Sequence, residues 1–190
     1  MIMLTAGVLL WFAVHLFPAA APGPRNNLSE KMGSNPYRGL FTLLTLASLL
    51  LIVFGWRSSI PENVYLPPEW GRHLAMLLVL IGFILFSASH GKNNIQRVIR
   101  HPQLSGVFVW GIAHLLANGE SRSIILFGGF TLWALVAIVL INRRDGAWQK
   151  PPAAPFKKDV IAVVGGVVVY AVVLFSHRWI AGIPLINPAG

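Results

Sequence analysis

Two histidines stand inside apolar runs of this 190-residue chain, His15 in WFAVHLF and His114 in VWGIAHLL. A polar group without a partner in an apolar medium costs several kcal/mol, so each imidazole needs something to bind. Each follows a tryptophan by four residues, Trp11 before His15 and Trp110 before His114. On a helix that spacing puts indole and imidazole on one face, one turn apart. Gly111 removes side-chain bulk three residues before His114, which would let a flat ring approach the backbone. Two neutral imidazoles in aromatic surroundings, with no cysteine in the chain, have the chemistry of an axial pair for haem iron. The alternative is a hydrogen bond from each histidine to a neighbouring helix. A zinc site would need a third protein ligand, and none is evident.

The remaining histidines are less confined. His73 and His177 fall towards helix ends as interfacial side chains, and His90 closes a helix before Gly91, where it suits the helix dipole. His101 belongs to a turn, Arg100-His101-Pro102, that opens the segment carrying His114. Proline in a first turn and arginine as an interfacial anchor are ordinary helix-start features; neither accounts for His101. All six acids, Glu30, Glu62, Glu69, Glu120, Asp145 and Asp159, lie in loops or at helix ends, so buried-carboxylate proton relays lack their parts.

The elements that must hold these residues are membrane helices. The chain is 55% hydrophobic and only 11% charged, against about a quarter charged in soluble domains. Six apolar segments are expected to span: 2–20, 38–56, 70–90, 103–118, 122–142 and 159–182, in one all-α membrane domain, 1–190. Segment 92–101 is expected along the interface and 22–37 as a polar turn region. Prolines at 151, 152 and 155 break the chain before the last span.

The net charge of +9 resides in short loops rather than on a basic stripe, so nucleic acid is not an expected partner; membrane lipid is. Loops 1–2, 3–4 and 5–6 hold eleven Lys and Arg, and the opposite side holds the other four of the fifteen. The positive-inside rule then places both termini on the periplasmic side of a bacterial inner membrane.

Several motifs together resemble the NnrU family of bacterial membrane proteins, associated with denitrification and related to 15-cis-zeta-carotene isomerases. They are VHLFPA around His15, PYRGL from Pro36, RHPQLSG from Arg100, WGIAHLLANG from Trp110 and DGAW from Asp145, covering about 8–148. The last helix lies outside that resemblance. It implies a b-type haem with His15 and His114 as axial ligands, and a role in nitric oxide or nitrite respiration, or in haem-dependent isomerisation of a lipid-soluble polyene. The related isomerase carries a cysteine three residues before its second histidine; Gly111 stands there here, which excludes a thiolate switch.

The RHPxxxG turn is also similar to that of membrane methyltransferases, which implies S-adenosylmethionine held near Arg100 and His101 as an alternative. The tyrosine usual in that motif is Leu104, and the paired glutamates are missing. A third reading is a non-catalytic assembly or sensor subunit partnered with a respiratory oxidoreductase. Should depth separate His15 from His114, His90 or His101 would be the next mate for His15.

Overall fold

The computed structural model describes residues 1–185, and what it shows is helical. Its helices are α1 (Ile2–Ala20), α2 (Pro22–Met32), α3 (Ser34–Ser58), α4 (Gly71–Ala88), α5 (Pro102–Ala117), α6 (Ser121–Asp145) and α7 (Phe156–Ala181). Five of these, α1, α3, α4, α6 and α7, are long and apolar enough to cross a membrane. The sixth expected span is α5, whose 16 residues reach only about 24 Å at 1.5 Å per residue. Five rather than six helices therefore meet the length of a full crossing, and α5 is a shorter apolar helix enclosed by the others.

The expected turn region 22–37 is instead largely α2 followed by the start of α3. Pro22 is a helix-first residue, where a missing N–H costs nothing, so the PGP sequence initiates a helix rather than preventing one. Gly33, at φ +85°, makes the corner between α2 and α3. Elsewhere the breaks fall as expected: α7 begins directly after Pro155, and a single 3₁₀ turn, Ile95–Arg97, occupies the interfacial segment.

The most extensive pairings are α4 with α5 and α1 with α3; α6 bridges α1 and α5, and α7 lies against α4. Lipid chains are as apolar as leucine, so helices in a membrane associate through close packing rather than water exclusion. Small residues permit it. A methyl on Gly106 of α5 would come within 2.7 Å of the Gly82 carbonyl of α4, so the two backbones cross there in contact. Leu9, Leu43, Phe54, Val168 and Phe175 turn outward, where lipid covers them.

The interior has two apolar clusters. Leu4, Val8 and Ile52 join α1 to α3, with Phe12, Trp56, Ile125 and Phe130 packed against them. Trp133, Ala134 and Ala137 of α6 form the second, against Trp11 and Leu16 of α1 and Leu104 and Val107 of α5. Both histidines singled out above sit on the aromatic border of these clusters.

Candidate functional site

In α1 the His15 Nδ1 lies 3.0 Å from the carbonyl oxygen of Trp11. A carbonyl only accepts, so Nδ1 carries the proton and Nε2 keeps its lone pair free for a ligand or metal. The ring lies on the Trp11 indole, centroids 3.8 Å apart and planes inclined by 16°. Phe41 of α3 and Trp133 of α6 present edges to it at 5.2 and 5.9 Å. The indole Nε1 atoms of Trp11 and Trp133 are buried with no acceptor, and Thr45 Oγ1, one turn beyond Phe41, is buried and unpartnered as well. Buried donors are nearly always paired, so two unpaired indoles in contact with one histidine make this niche the candidate site. Below them a cavity of about 420 Å³ is lined by Pro18, Arg25, Tyr37, Arg38, Phe41 and Thr42. Arg25 stacks over Tyr37 at 5.1 Å.

His114 repeats the local pattern on α5. Its Nδ1 lies 2.8 Å from the Trp110 carbonyl, so its Nε2 lone pair is also free. Phe127 of α6 stacks on it, centroids 4.3 Å apart. Phe127 belongs to a π-helical turn, Ile124–Gly128, and such turns often occur at functional sites. Gly111 does not open a slot for a flat ring, as its size suggests. A methyl there would collide with the Thr131 hydroxyl and stand 2.8 Å from the Phe127 carbonyl, so the space is taken by α6 itself.

The two motifs do not converge. Trp11 and Trp110 both contact Phe130, at 5.2 and 6.2 Å between centroids, so the tryptophans share one depth. Consecutive long helices run in opposite directions, and with the short α2 left out α1 and α5 are the first and fourth of them, hence antiparallel. Four residues onward from Trp11 therefore lead to one side of the Phe130 layer, and four onward from Trp110 to the other. At 1.5 Å per residue the two histidine positions are roughly 12 Å apart in depth. Helix α6 gives the same measure: His15 faces Trp133 and His114 faces Phe127, six residues and about 9 Å apart. One iron with two axial imidazoles needs its nitrogens about 4 Å apart, taking metal–nitrogen bonds of about 2 Å. In this packing His15 and His114 occupy separate niches along α6, because antiparallel helices turn a matched spacing into divergence.

Nor does another histidine replace His114 beside His15. His90 is exposed at the end of α4, its Nδ1 3.1 Å from the Phe86 carbonyl. His101 Nε2 is 2.9 Å from Asn142 Oδ1. Among the described residues no three His, Asp or Glu side chains gather as a metal cluster. His15 keeps a free Nε2 beside two unpaired indole donors, and the nearby cavity, which shares Phe41 with the surroundings of His15, has Arg25 and Arg38 in its wall.

The RHP turn has a structural reason for each member. His101 caps α5 and bonds the end of α6 through Asn142; Pro102 is the first helical residue; Arg100 Nη1 donates to the Gly146 carbonyl at 2.9 Å. A second cavity, of about 460 Å³, opens here and includes Arg100, His101, Leu104, Ile141 and Trp148 in its wall.

Sequence reasoning passed over Phe41, Phe130, Trp133 and Tyr65. The first three are aromatic residues in helices apolar on every side, where no periodicity separates the core face from the lipid face. Tyr65 lies in the loop after α3 and its hydroxyl donates to the carbonyls of Leu115 and Asn118, closing that loop over the end of α5. Burial pushes the Tyr65 phenol above its ordinary range.

No curated protein and no solved structure matches the chain. The model of one protein family, described as NnrU protein, matches residues 3–185. That match includes α7, so the last helix is not an addition outside the family pattern. With nearly its whole length matched, this multi-pass helical chain belongs to the NnrU family.

Proposed function

We propose that the protein binds a b-type haem in the bacterial inner membrane, that His15 would be its one protein ligand to iron, and that an exogenous ligand could then also bind. The observation that carries this reading is the His15 imidazole: Nδ1 is held by the Trp11 carbonyl and Nε2 is left with its lone pair, beside buried indole donors that have no acceptor. Arg25 and Arg38, at the mouth of the adjoining cavity, are placed to meet the carboxylates of such a group. Bound there, the haem would supply iron redox chemistry and gas binding. The chain's own residues orient the ring of His15, fix its tautomer and exclude water. They offer no buried carboxylate or lysine for general acid–base work.

A haem iron with a single protein ligand would suit nitric oxide, and we assign the protein to sensing that gas or supporting its respiratory reduction; isomerisation of an apolar polyene is the catalytic form of the same reading. The test is a visible spectrum of the detergent-extracted protein after haem addition. A five-coordinate, high-spin spectrum in the wild type, retained in His114→Ala, abolished in His15→Ala and shifted by nitric oxide, supports the proposal. A low-spin spectrum that needs both histidines would replace it with a two-histidine site. No Soret band at all, with co-purification of a respiratory oxidoreductase, would leave the assembly-subunit reading.

A further inference from the structure

The cavity at the RHP turn is independent of His15 and has its own chemistry. One wall is polar: Gln96, the Arg100 guanidinium and His101. Arg100 spends Nη1 on the Gly146 carbonyl and keeps its remaining donors. The first intrahelical bond of α5 is donated by the Ser105 amide to the His101 carbonyl, which leaves the amides of Gln103 and Leu104, both at the cavity, without a helical acceptor. No carboxylate lines it among the described residues. The nearby acids are engaged: Asp145 with Arg144 at 2.7 Å, and Asp159 with the Asn94 amides at 2.6 and 2.7 Å. Lys92, Arg97, Arg143 and Lys150 belong to the same end of the bundle, and Lys150 stands over the Trp148 ring at 5.5 Å.

The other wall is apolar. Leu104 and Ile141 line the cavity and also pack against the Trp133–Ala137 cluster, so its apolar wall lies where the start of α5 meets the end of α6. At about 460 Å³ it is larger than a bare oxyanion requires and is of ordinary small-ligand size.

We infer that this cleft binds an anionic amphiphile, a phosphate-type headgroup on Arg100 and the open α5 amides with its acyl chain along Leu104 and Ile141. The arginine fork, a helix start and an aromatic rim are the usual means of holding a phosphate at a membrane surface.

The full chain in maltoside micelles, titrated into a fluorescent monoacylglycerol phosphate and followed by anisotropy, tests this. Unlabelled monoacylglycerol phosphate should displace the probe, while monoacyl phosphocholine and inorganic phosphate at equal concentration should not. Arg100→Gln removes charge-assisted bonds and should weaken binding at least about tenfold. Gln103→Trp, which fills the cleft without changing charge or the Gly146 bond, should weaken it as well. Lys157→Gln, a charge loss at the same end but outside the cleft, should stay within about twofold. Displacement by inorganic phosphate as effective as by the amphiphile would reduce the site to a free-anion site and overturn the acyl-chain assignment. Equal losses in Lys157→Gln, or an undiminished Gln103→Trp, would show diffuse surface charge and overturn the cleft.

Discussion

Trp11 and Trp110 stand on two sides of one ring, their centroids 5.2 and 6.2 Å from that of Phe130, and this shared contact sets the depth of everything attached to them. From it the histidines diverge, and the bundle acquires two separate aromatic niches rather than one central slot. Phe130 is the wedge. Phe130→Ala should destabilise the folded protein by about 3–5 kcal/mol, the usual cost of truncating a core aromatic residue. Thermal unfolding in detergent, followed by loss of the monodisperse chromatographic peak, measures it; a change of under about 1 kcal/mol would mean that the two niches are not held apart by this ring.

Gly111 faces Thr131 and the Phe127 carbonyl with no room for a methyl. Gly111→Ala should cost about 1–3 kcal/mol as an overpacked contact. Adding Thr131→Ala should restore part of the loss, because the side chain it would strike is then removed, whereas the Phe127 carbonyl remains. A double variant no more stable than Gly111→Ala would place the clash on the backbone alone. Gly111→Cys, whose side chain is larger still, should be at least as destabilising.

The Tyr65 hydroxyl bonds the last carbonyls of α5, close to His114. Tyr65→Phe should cost about 1 kcal/mol, the net worth of an ordinary hydrogen bond. Because burial raises this phenol, the folded state holds its proton after the unfolded chain has released it. Stability should therefore fall as pH rises above about 10, and the fall should be shallower in Tyr65→Phe. Denaturation midpoints at pH 9 to 11 for the two proteins are the measurement, and identical slopes would exclude a contribution from Tyr65.

Asp159 accepts from the backbone and side-chain amides of Asn94, and Asn94 Nδ2 donates to the Ala154 carbonyl at 2.8 Å, which pins the start of α7 to the loop after α4. Asp159→Ala should cost about 1–3 kcal/mol by leaving half-buried amides unpaired. Its signature is local: proteolysis between Gly146 and Pro155 should quicken in Asp159→Ala before the global unfolding transition moves much.

From the eleven-to-four distribution of Lys and Arg, the positive-inside rule predicts an orientation with both termini periplasmic. A reporter active only in the periplasm, fused after Gly190, should be active. Activity of a cytoplasm-only reporter at that position would invert the bundle and move both cavities to the other face.

Composition alone determined that this is a helical membrane protein, because 55% apolar residues in runs near 20 long have no soluble solution. The hydrogen-bond partner of each histidine differs from the expected neighbouring helix: each imidazole bonds the carbonyl four residues back on its own helix, and in both motifs that carbonyl belongs to the tryptophan. The PGP segment misled the reading of 22–37, since proline is tolerated at the first turn that it happens to occupy.

What the sequence could not determine was which residues meet. A Trp-x-x-x-His spacing is identical on helices running up or down, and only the packing of α1 and α5 on α6 shows that the two copies point opposite ways along the bundle. Core and lipid faces are equally apolar, so Phe41, Phe130 and Trp133 carried no mark distinguishing them from residues that touch only lipid. Gly111 could be read as an opening or as a point of contact, and the answer lay in Thr131, 20 residues away on another helix. Direction and depth are properties of helix pairs, fixed by close packing across the bundle, and no spacing within one helix contains them.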